Sequence, residues 1–129
     1  DRSLPLADRL NTFYNVYTDA IFNRKWMRIF LFSGLKGVDI NRRYMQLVRQ
    51  RILEPILIEA RVEFGLPDVP PKDCEVEFVW VMHGGIFYYG VRDLIYESAI
   101  STDKERVISD SITAFMAGLK IKLNRPDQT

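Results

Sequence analysis

The sequence contains very few of the residues that build disulfide frameworks and zinc sites. Cys74 is the only cysteine and His83 the only histidine among 129 residues. One residue of each type cannot supply a disulfide or a Cys/His zinc site within one chain. On one helix the two would lie about 13 Å apart along the axis, too far for a nucleophile and its base. We therefore expect no catalytic residue, metal, cofactor or enzymatic activity.

The charge balance and the hydropathy exclude further classes. The net charge is +1, from 18 basic and 17 acidic residues, which is not the footprint of a nucleic-acid-binding surface. No apolar run is long enough to cross a bilayer, and no basic start followed by an apolar stretch indicates a signal peptide. We expect no membrane partner and a cytoplasmic location. With 47% hydrophobic residues, the chain can bury a substantial core, so residues 1–129 are interpreted as a single domain.

The first three segments show helical periodicity. The first is an amphipathic stripe, with Ser3 as its expected cap; it comprises Leu6, Leu10, Phe13, Tyr17 and Ile21. The second, Lys25 to Leu35, is apolar nearly all round, which predicts a buried helix, and Gly34 and Gly37 predict its end. The third, Ile40 to Phe64, has Asp39 as a candidate cap, and Pro55 predicts a kink or break just before it. Gly65-Leu66-Pro67 predicts its end.

The fourth segment, from Asp73 to about Glu97, has two apolar faces. One face carries Trp80, His83 and Phe87. The roughly opposite stripe consists of Phe78, Met82, Gly85 and Tyr89. One face can pack on the core, whereas the other needs a second layer or a second chain. Gly84 and Gly85 are best explained if a helix or a ligand packs closely there; a kink at Gly84 is the alternative.

The fifth segment begins at an expected capping box, Thr102 to Glu105. Its large apolar stripe consists of Ile108, Ile112, Phe115 and Leu119. Beside that stripe lies an edge of mostly small residues that would permit close helix approach: Val107, Ser111, Ala114 and Gly118. Without a clean alternating strand, the pattern predicts an all-α fold, an antiparallel bundle of about five to six helices.

Aromatic residues spread over four of these segments are the most distinctive feature. They can form an ordinary core, or they can line an apolar ligand pocket that contains a few polar groups. The residues alone leave these two interpretations open.

The order of elements resembles the C-terminal regulatory domain of TetR-family bacterial transcriptional regulators. The resemblance covers about Leu6 to Leu119, and its most suggestive stretches are Trp26-Met27-Arg28-Ile29-Phe30, Asp39-Ile40-Asn41-Arg42-Arg43-Tyr44 and Phe115-Met116-Ala117-Gly118-Leu119. It implies a repressor with a small-molecule effector and a homodimer through the last two long helices. It also implies an N-terminal helix-turn-helix domain that contacts DNA and is missing from this chain, in agreement with a sequence that begins at Asp1 rather than Met.

This resemblance and the two-faced fourth segment lead to two sets of site residues. The expected pocket binds a largely apolar or aromatic ligand and is lined by Phe13, Tyr17, Trp26, Phe30, Tyr44, Trp80, His83 and Phe87. The expected dimer interface comprises Phe78, Met82, Gly85, Tyr89, Val107, Ser111, Ala114 and Gly118. The alternative is a ligand-free helical protein-interaction module with a solid core. A cofactor-binding or enzymatic bundle has little support.

Overall fold

The computed structural model describes residues 1–125, and these are helical with no β-strand among them. The helices are α1 (Leu6–Ile21), α2 (Arg24–Leu35), α3 (Asp39–Val48), α4 (Glu54–Glu63), α5 (Asp73–Gly90) and α6 (Lys104–Leu123). Two π-helical turns, Arg49–Leu53 and Val91–Ile95, join α3 to α4 and extend α5. The predicted all-α bundle is confirmed.

A distant glutamate, rather than Ser3, caps helix α1. The Ser3 N–H and hydroxyl both donate to the side chain of Asp1, so the predicted cap is wrong. The Leu6 N–H instead donates to Glu63 Oε1 at 2.6 Å, which places a carboxylate at the positive end of the helix dipole. Arg9 also contacts Glu59 of α4 at 2.8 Å. The beginning of α1 is therefore attached to the end of α4.

Helix α2 is not the buried helix that its composition predicted. Only Met27 is buried, whereas Ile29, Phe32 and Leu35 are 57%, 60% and 88% exposed. The helix packs against α3 and the π-helical turn after α5, and no other part of residues 1–125 covers its outer face. Its end is as expected, because Gly37 has a φ of +73°, which suits glycine.

The irregularity expected just before Pro55 takes the form of a π-helical turn rather than a complete break, and the α-helix resumes at Glu54. The π-helical turn ends at Leu53, and the Glu54 N–H donates to the carbonyl of Arg49, five residues earlier. A wider turn at this position accommodates a proline, which has no N–H to donate and crowds the preceding turn. Gly65 ends α4 as predicted, with a φ of +67°.

Two other predicted caps are displaced by one residue. Helix α3 begins at Asp39 itself, and Val38 before it provides no side-chain cap. Asp103, rather than Thr102, caps α6, since its side chain accepts from the Arg106 N–H at 2.9 Å. The Thr102 carbonyl instead accepts from the Tyr89 hydroxyl at 2.9 Å, so the predicted capping box does not form.

Helices α5 and α6 run antiparallel and form one side of the core. Tyr89 near the end of α5 bonds Thr102 just before α6, while Phe78 near the start of α5 stacks on Phe115 with ring centroids 5.5 Å apart. The apolar stripe of α6 is buried as predicted, with 0–5% exposure, at Ile108, Ile112, Phe115 and Leu119. A buried ion pair, Arg61 to Glu75 at 2.7 Å, joins α4 to α5.

Candidate functional site

A cavity of about 240 Å³ lies between four helices. Helix α1 contributes one residue, α2 two, α3 two and α5 four; the lining consists of Tyr17, Trp26, Phe30, Tyr44, Met45, Trp80, His83, Gly84 and Phe87. A cavity of roughly 150 Å³ holds benzene, so this one has room for about two fused aromatic rings.

Seven of the eight residues predicted to line a pocket surround this cavity. Phe13 is the exception: it is 38% exposed and stacks on the outer side of Tyr17 with ring centroids 5.5 Å apart. Met45 and Gly84 were missed. The paired glycines of α5 were a usable signal for Gly84, because a cavity is one reason for a helix to lack a side chain. Met45 had no comparable signal.

Neither Gly84 nor Gly85 has a close neighbour from another element of residues 1–125. The helix continues through Gly84 and Gly85, so the alternative of a kink is not realised. Apart from its chain neighbours and its own helix backbone, a Cβ atom at either position would have no atom of residues 1–125 within 4 Å. Gly84 borders the cavity and Gly85 a groove on another side of the helix. Space, rather than a closely packed helix, is what adjoins each glycine.

The polar end of the cavity contains a buried tyrosine–histidine pair. The hydroxyl of Tyr14, which has 0% exposure, lies 2.9 Å from His83 Nδ1. Burial lowers the pKa of His83 to about 4 and raises the pKa of Tyr14 above its ordinary value. At neutral pH the imidazole is therefore uncharged.

A pair of tyrosine hydroxyls, one from α1 and one from α3, also belongs to residues that line the cavity. The hydroxyls of Tyr17 and Tyr44 are 2.5 Å apart. Burial, followed by the hydrogen bond to Tyr44, raises the pKa of Tyr17 above its ordinary value. Trp26 and Phe30 stack with centroids 5.1 Å apart and form the apolar wall on the α2 side. The site can thus hold an aromatic ring and offer it a few hydrogen bonds.

A groove of about 260 Å³ follows the line between α5 and α6. It coincides with much of the predicted dimer interface and is lined by Phe78, Val81, Met82, Gly85, Ser111, Ala114 and Phe115. Val81, which was not predicted, is 76% exposed at its rim. Ala114 and Gly85 are also exposed, so the groove is accessible to another molecule.

Other predicted interface residues are used within the chain. Tyr89 is 7% exposed and Met82 8%. The Tyr89 ring stacks on Phe22, and its hydroxyl donates to the Thr102 carbonyl. A Cβ atom at Gly118 would lie 3.1 Å from the Phe78 ring, so this small residue admits an aromatic ring of its own chain. Val107 is half-buried beside Ile108. The free part of this side of α5 is therefore limited to Val81 and Gly85.

The described residues give no indication of a metal centre or of a membrane span. No group of three or more His, Cys, Asp or Glu side chains within residues 1–125 is placed to hold a metal ion. Among the same residues, no helix is both long and apolar enough to cross a membrane.

Comparison with protein-family models, with curated proteins and with solved structures finds no match for this chain. A functional assignment therefore depends on the geometry of the cavity and of the groove.

Proposed function

We propose that this chain is the effector-sensing and dimerisation domain of a TetR-type bacterial transcriptional regulator that acts as a cytoplasmic repressor. The observation that carries the proposal is the cavity: side chains from α1, α2, α3 and α5 enclose an aromatic-lined space with a neutral imidazole at one end. Such a space, apolar with a few converging polar groups, is typical of a small-molecule site.

The path from the cavity to the start of the chain supports a sensing role. Tyr17 lines the cavity on α1, and the other end of α1 is attached to α4 through Glu63 and Glu59. In the proposed regulator, DNA is contacted only by a helix-turn-helix domain outside these 129 residues. An effector that favours one orientation of α1 shifts the population of DNA-binding conformations, as a ligand does when it has different affinities for two states.

The groove between α5 and α6 supports the proposed homodimer. Its exposed apolar strip, centred on Val81 and Gly85 of α5 and Ala114 of α6, lies on a different side of α5 from the cavity. Small residues there permit a second copy of the helix pair to approach closely. Dimerisation and ligand binding would then use separate surfaces of the same helix.

The decisive experiment measures whether the cavity binds an aromatic molecule. Trp26 and Trp80 are the two tryptophans of the chain, and both line the cavity, so their fluorescence reports occupancy directly. Titration with 2-ethylnaphthalene or 2-acetonaphthone is expected to change this fluorescence saturably. Gly84→Leu fills the cavity and is expected to weaken binding at least about tenfold.

Gly85→Leu is the matched control. It adds the same side chain to the same helix, but towards the groove instead of the cavity. This variant is expected to bind the naphthalenes as the wild type does. The proposal is wrong if the wild-type chain binds neither compound, or if Gly84→Leu and Gly85→Leu bind them equally well.

A protein-interaction module is the second candidate, because the outer face of α2 is apolar and exposed. Ile29, Phe32 and Leu35 lie on this face, next to a surface groove of about 410 Å³. Exposed apolar patches of this kind mark protein contacts. Without a ligand function, this module predicts no saturable naphthalene binding and no effect of Gly84→Leu on any interaction.

A further inference from the structure

The Tyr14–His83 hydrogen bond determines which imidazole nitrogen carries the proton. Tyr14 is completely buried, and within the described residues its hydroxyl bonds no side chain except His83 Nδ1. If Nδ1 carried the proton and donated it, the hydroxyl proton of Tyr14 would have no acceptor, which is costly for a buried group. Tyr14 therefore donates to Nδ1, and the proton of the neutral ring is on Nε2.

The Nε2–H group of His83 is open to the cavity. Nε2 has no hydrogen-bond partner among residues 1–125. It is also absent from their completely buried polar atoms that lack a partner, so Nε2 must have some exposed surface. His83 lines the cavity, and we place the exposed surface of Nε2 on that side of the ring. The tyrosine pair provides a second hydrogen-bond donor. One hydroxyl donates to the other, so one hydroxyl proton, of Tyr17 or of Tyr44, is left to donate to a ligand.

The lining has no charged side chain. None of the nine residues around the cavity is Asp, Glu, Lys or Arg. An anionic ligand would lose its hydration here without gaining an ion pair, which strongly disfavours it. A cation would be attracted by the aromatic faces but would meet the donor hydrogens of His83 and of the tyrosine pair. The cavity thus combines aromatic walls, hydrogen-bond donors and a neutral environment.

We infer that the cavity selects an uncharged aromatic molecule with a hydrogen-bond acceptor, such as an aryl ketone, whose oxygen accepts from His83 Nε2–H. The aromatic part packs against the wall formed by Trp26 and Phe30 and against Phe87. This inference rests on the proposed function and adds to it the chemical class of the effector.

The first test needs no variant. Because His83 is the only histidine, a long-range ¹H–¹⁵N NMR spectrum of the full chain at pH 7 contains one imidazole. We expect Nε2 to be protonated and Nδ1 to be the bare nitrogen, with the Nε2 signal shifting when 2-acetonaphthone binds. A spectrum with the proton on Nδ1, or an Nε2 signal that does not respond, overturns the inference.

The second test compares three probes with one naphthalene skeleton: 2-acetonaphthone, 2-ethylnaphthalene without an acceptor, and the anion 2-naphthoate. The affinity ratio of ketone to ethyl compound is measured in the wild type and in Tyr14→Phe/His83→Phe, which removes both members of the pair together. We expect the ratio to fall about tenfold in the variant, and 2-naphthoate to bind the wild type at least about tenfold more weakly than the ketone.

The outcomes separate this inference from the proposed function. If 2-ethylnaphthalene binds but the ratio is the same in both proteins, the cavity is a ligand site and the donor role of His83 is wrong. If 2-naphthoate binds as well as the ketone, the neutral class is wrong. If none of the three probes binds the wild type, the proposed function fails and the inference fails with it.

Discussion

Lowering the pH from 7 to 4 is expected to destabilise this protein through His83. The side chain is 7% exposed, and its ring contacts Tyr14 and Tyr17 of α1 and Trp80 of α5. Burial lowers the pKa of the imidazole to about 4 from its ordinary 6.5. The folded protein therefore resists taking up a proton that the unfolded chain accepts readily.

The size of the effect follows from the interval between the two pKa values. Above pH 6.5 both states hold a neutral imidazole, and the full unfolding free energy is present. Between pH 6.5 and 4 the unfolded chain binds the proton and the folded protein does not, so the unfolding free energy falls as the pH falls. The interval corresponds to roughly 3 kcal/mol, a large part of the 5–15 kcal/mol that stabilises an ordinary domain.

Urea unfolding at several pH values between 7 and 4 measures this loss, and NMR titration of the single histidine ring gives its pKa in the folded protein. Tyr14→Phe/His83→Phe is the control and should lose much less stability over the same interval. Arg2 and Arg9 lower the pKa of the Glu59 carboxyl to about 2, so its contribution is lost as the pH falls from about 4.5 towards 2. The double variant shares this loss, and the difference between the two proteins therefore isolates His83.

Two results would refute this reasoning. The first is a folded-state titration of His83 near 6.5, which would mean that the imidazole remains hydrated in the folded protein. The second is an equal loss of stability in the wild type and in the double variant, which would assign the pH dependence to other groups.

Three further predictions concern the attachment of α1, the core and the dimer. Glu63→Ala removes the cap of α1 and should lower the unfolding free energy, measured in urea, by roughly 1–2 kcal/mol. The control Glu77→Ala, at an exposed position of α5, should change it by less than about 0.5 kcal/mol. Equal effects would contradict the capping role. Arg61→Met leaves Glu75 buried without its partner and should cost about 3–5 kcal/mol, much of it recovered in Arg61→Met/Glu75→Leu; no recovery would show that the ion pair is not the cause. Ala114→Arg should yield monomers in sedimentation velocity, and a wild-type chain that is already monomeric, or an unaltered dimer in the variant, would contradict the proposed interface.

Helix α1 illustrates how far the sequence predicts the site. Its stripe predicted that Phe13 and Tyr17 face one way, and Tyr17 does line the cavity. Phe13 instead faces a shallow groove next to Ile52 and Pro55, while Tyr14, which was not predicted, is completely buried against His83. Periodicity identifies the side of a helix that packs only to within about one residue, because 100° per residue places neighbours on adjoining faces.

Helix α5 likewise has features that the sequence predicts and others that only the tertiary structure determines. Its two apolar faces are both real, and the sequence left open whether a second layer or a second chain covers the stripe with Phe78 and Met82. Helix α6 covers most of it, and only the strip around Val81 and Gly85 is free. The choice depends on where α6 lies, and this position is a property of the packed bundle.

The sequence alone therefore determined the features that depend on neighbouring residues or on composition. The helical periods and the ends of α2 and α4 at Gly37 and Gly65 follow from residues within a few positions of one another. The balanced charge and the small number of potential metal ligands follow from residue counts. The tertiary structure decided what depends on distant partners: Glu63 caps a helix that begins 57 residues earlier, and Tyr14 determines the proton position of a histidine 69 residues away. Such contacts form only when helices pack, because a backbone N–H or an imidazole nitrogen pairs with whichever group the packing brings within hydrogen-bond distance.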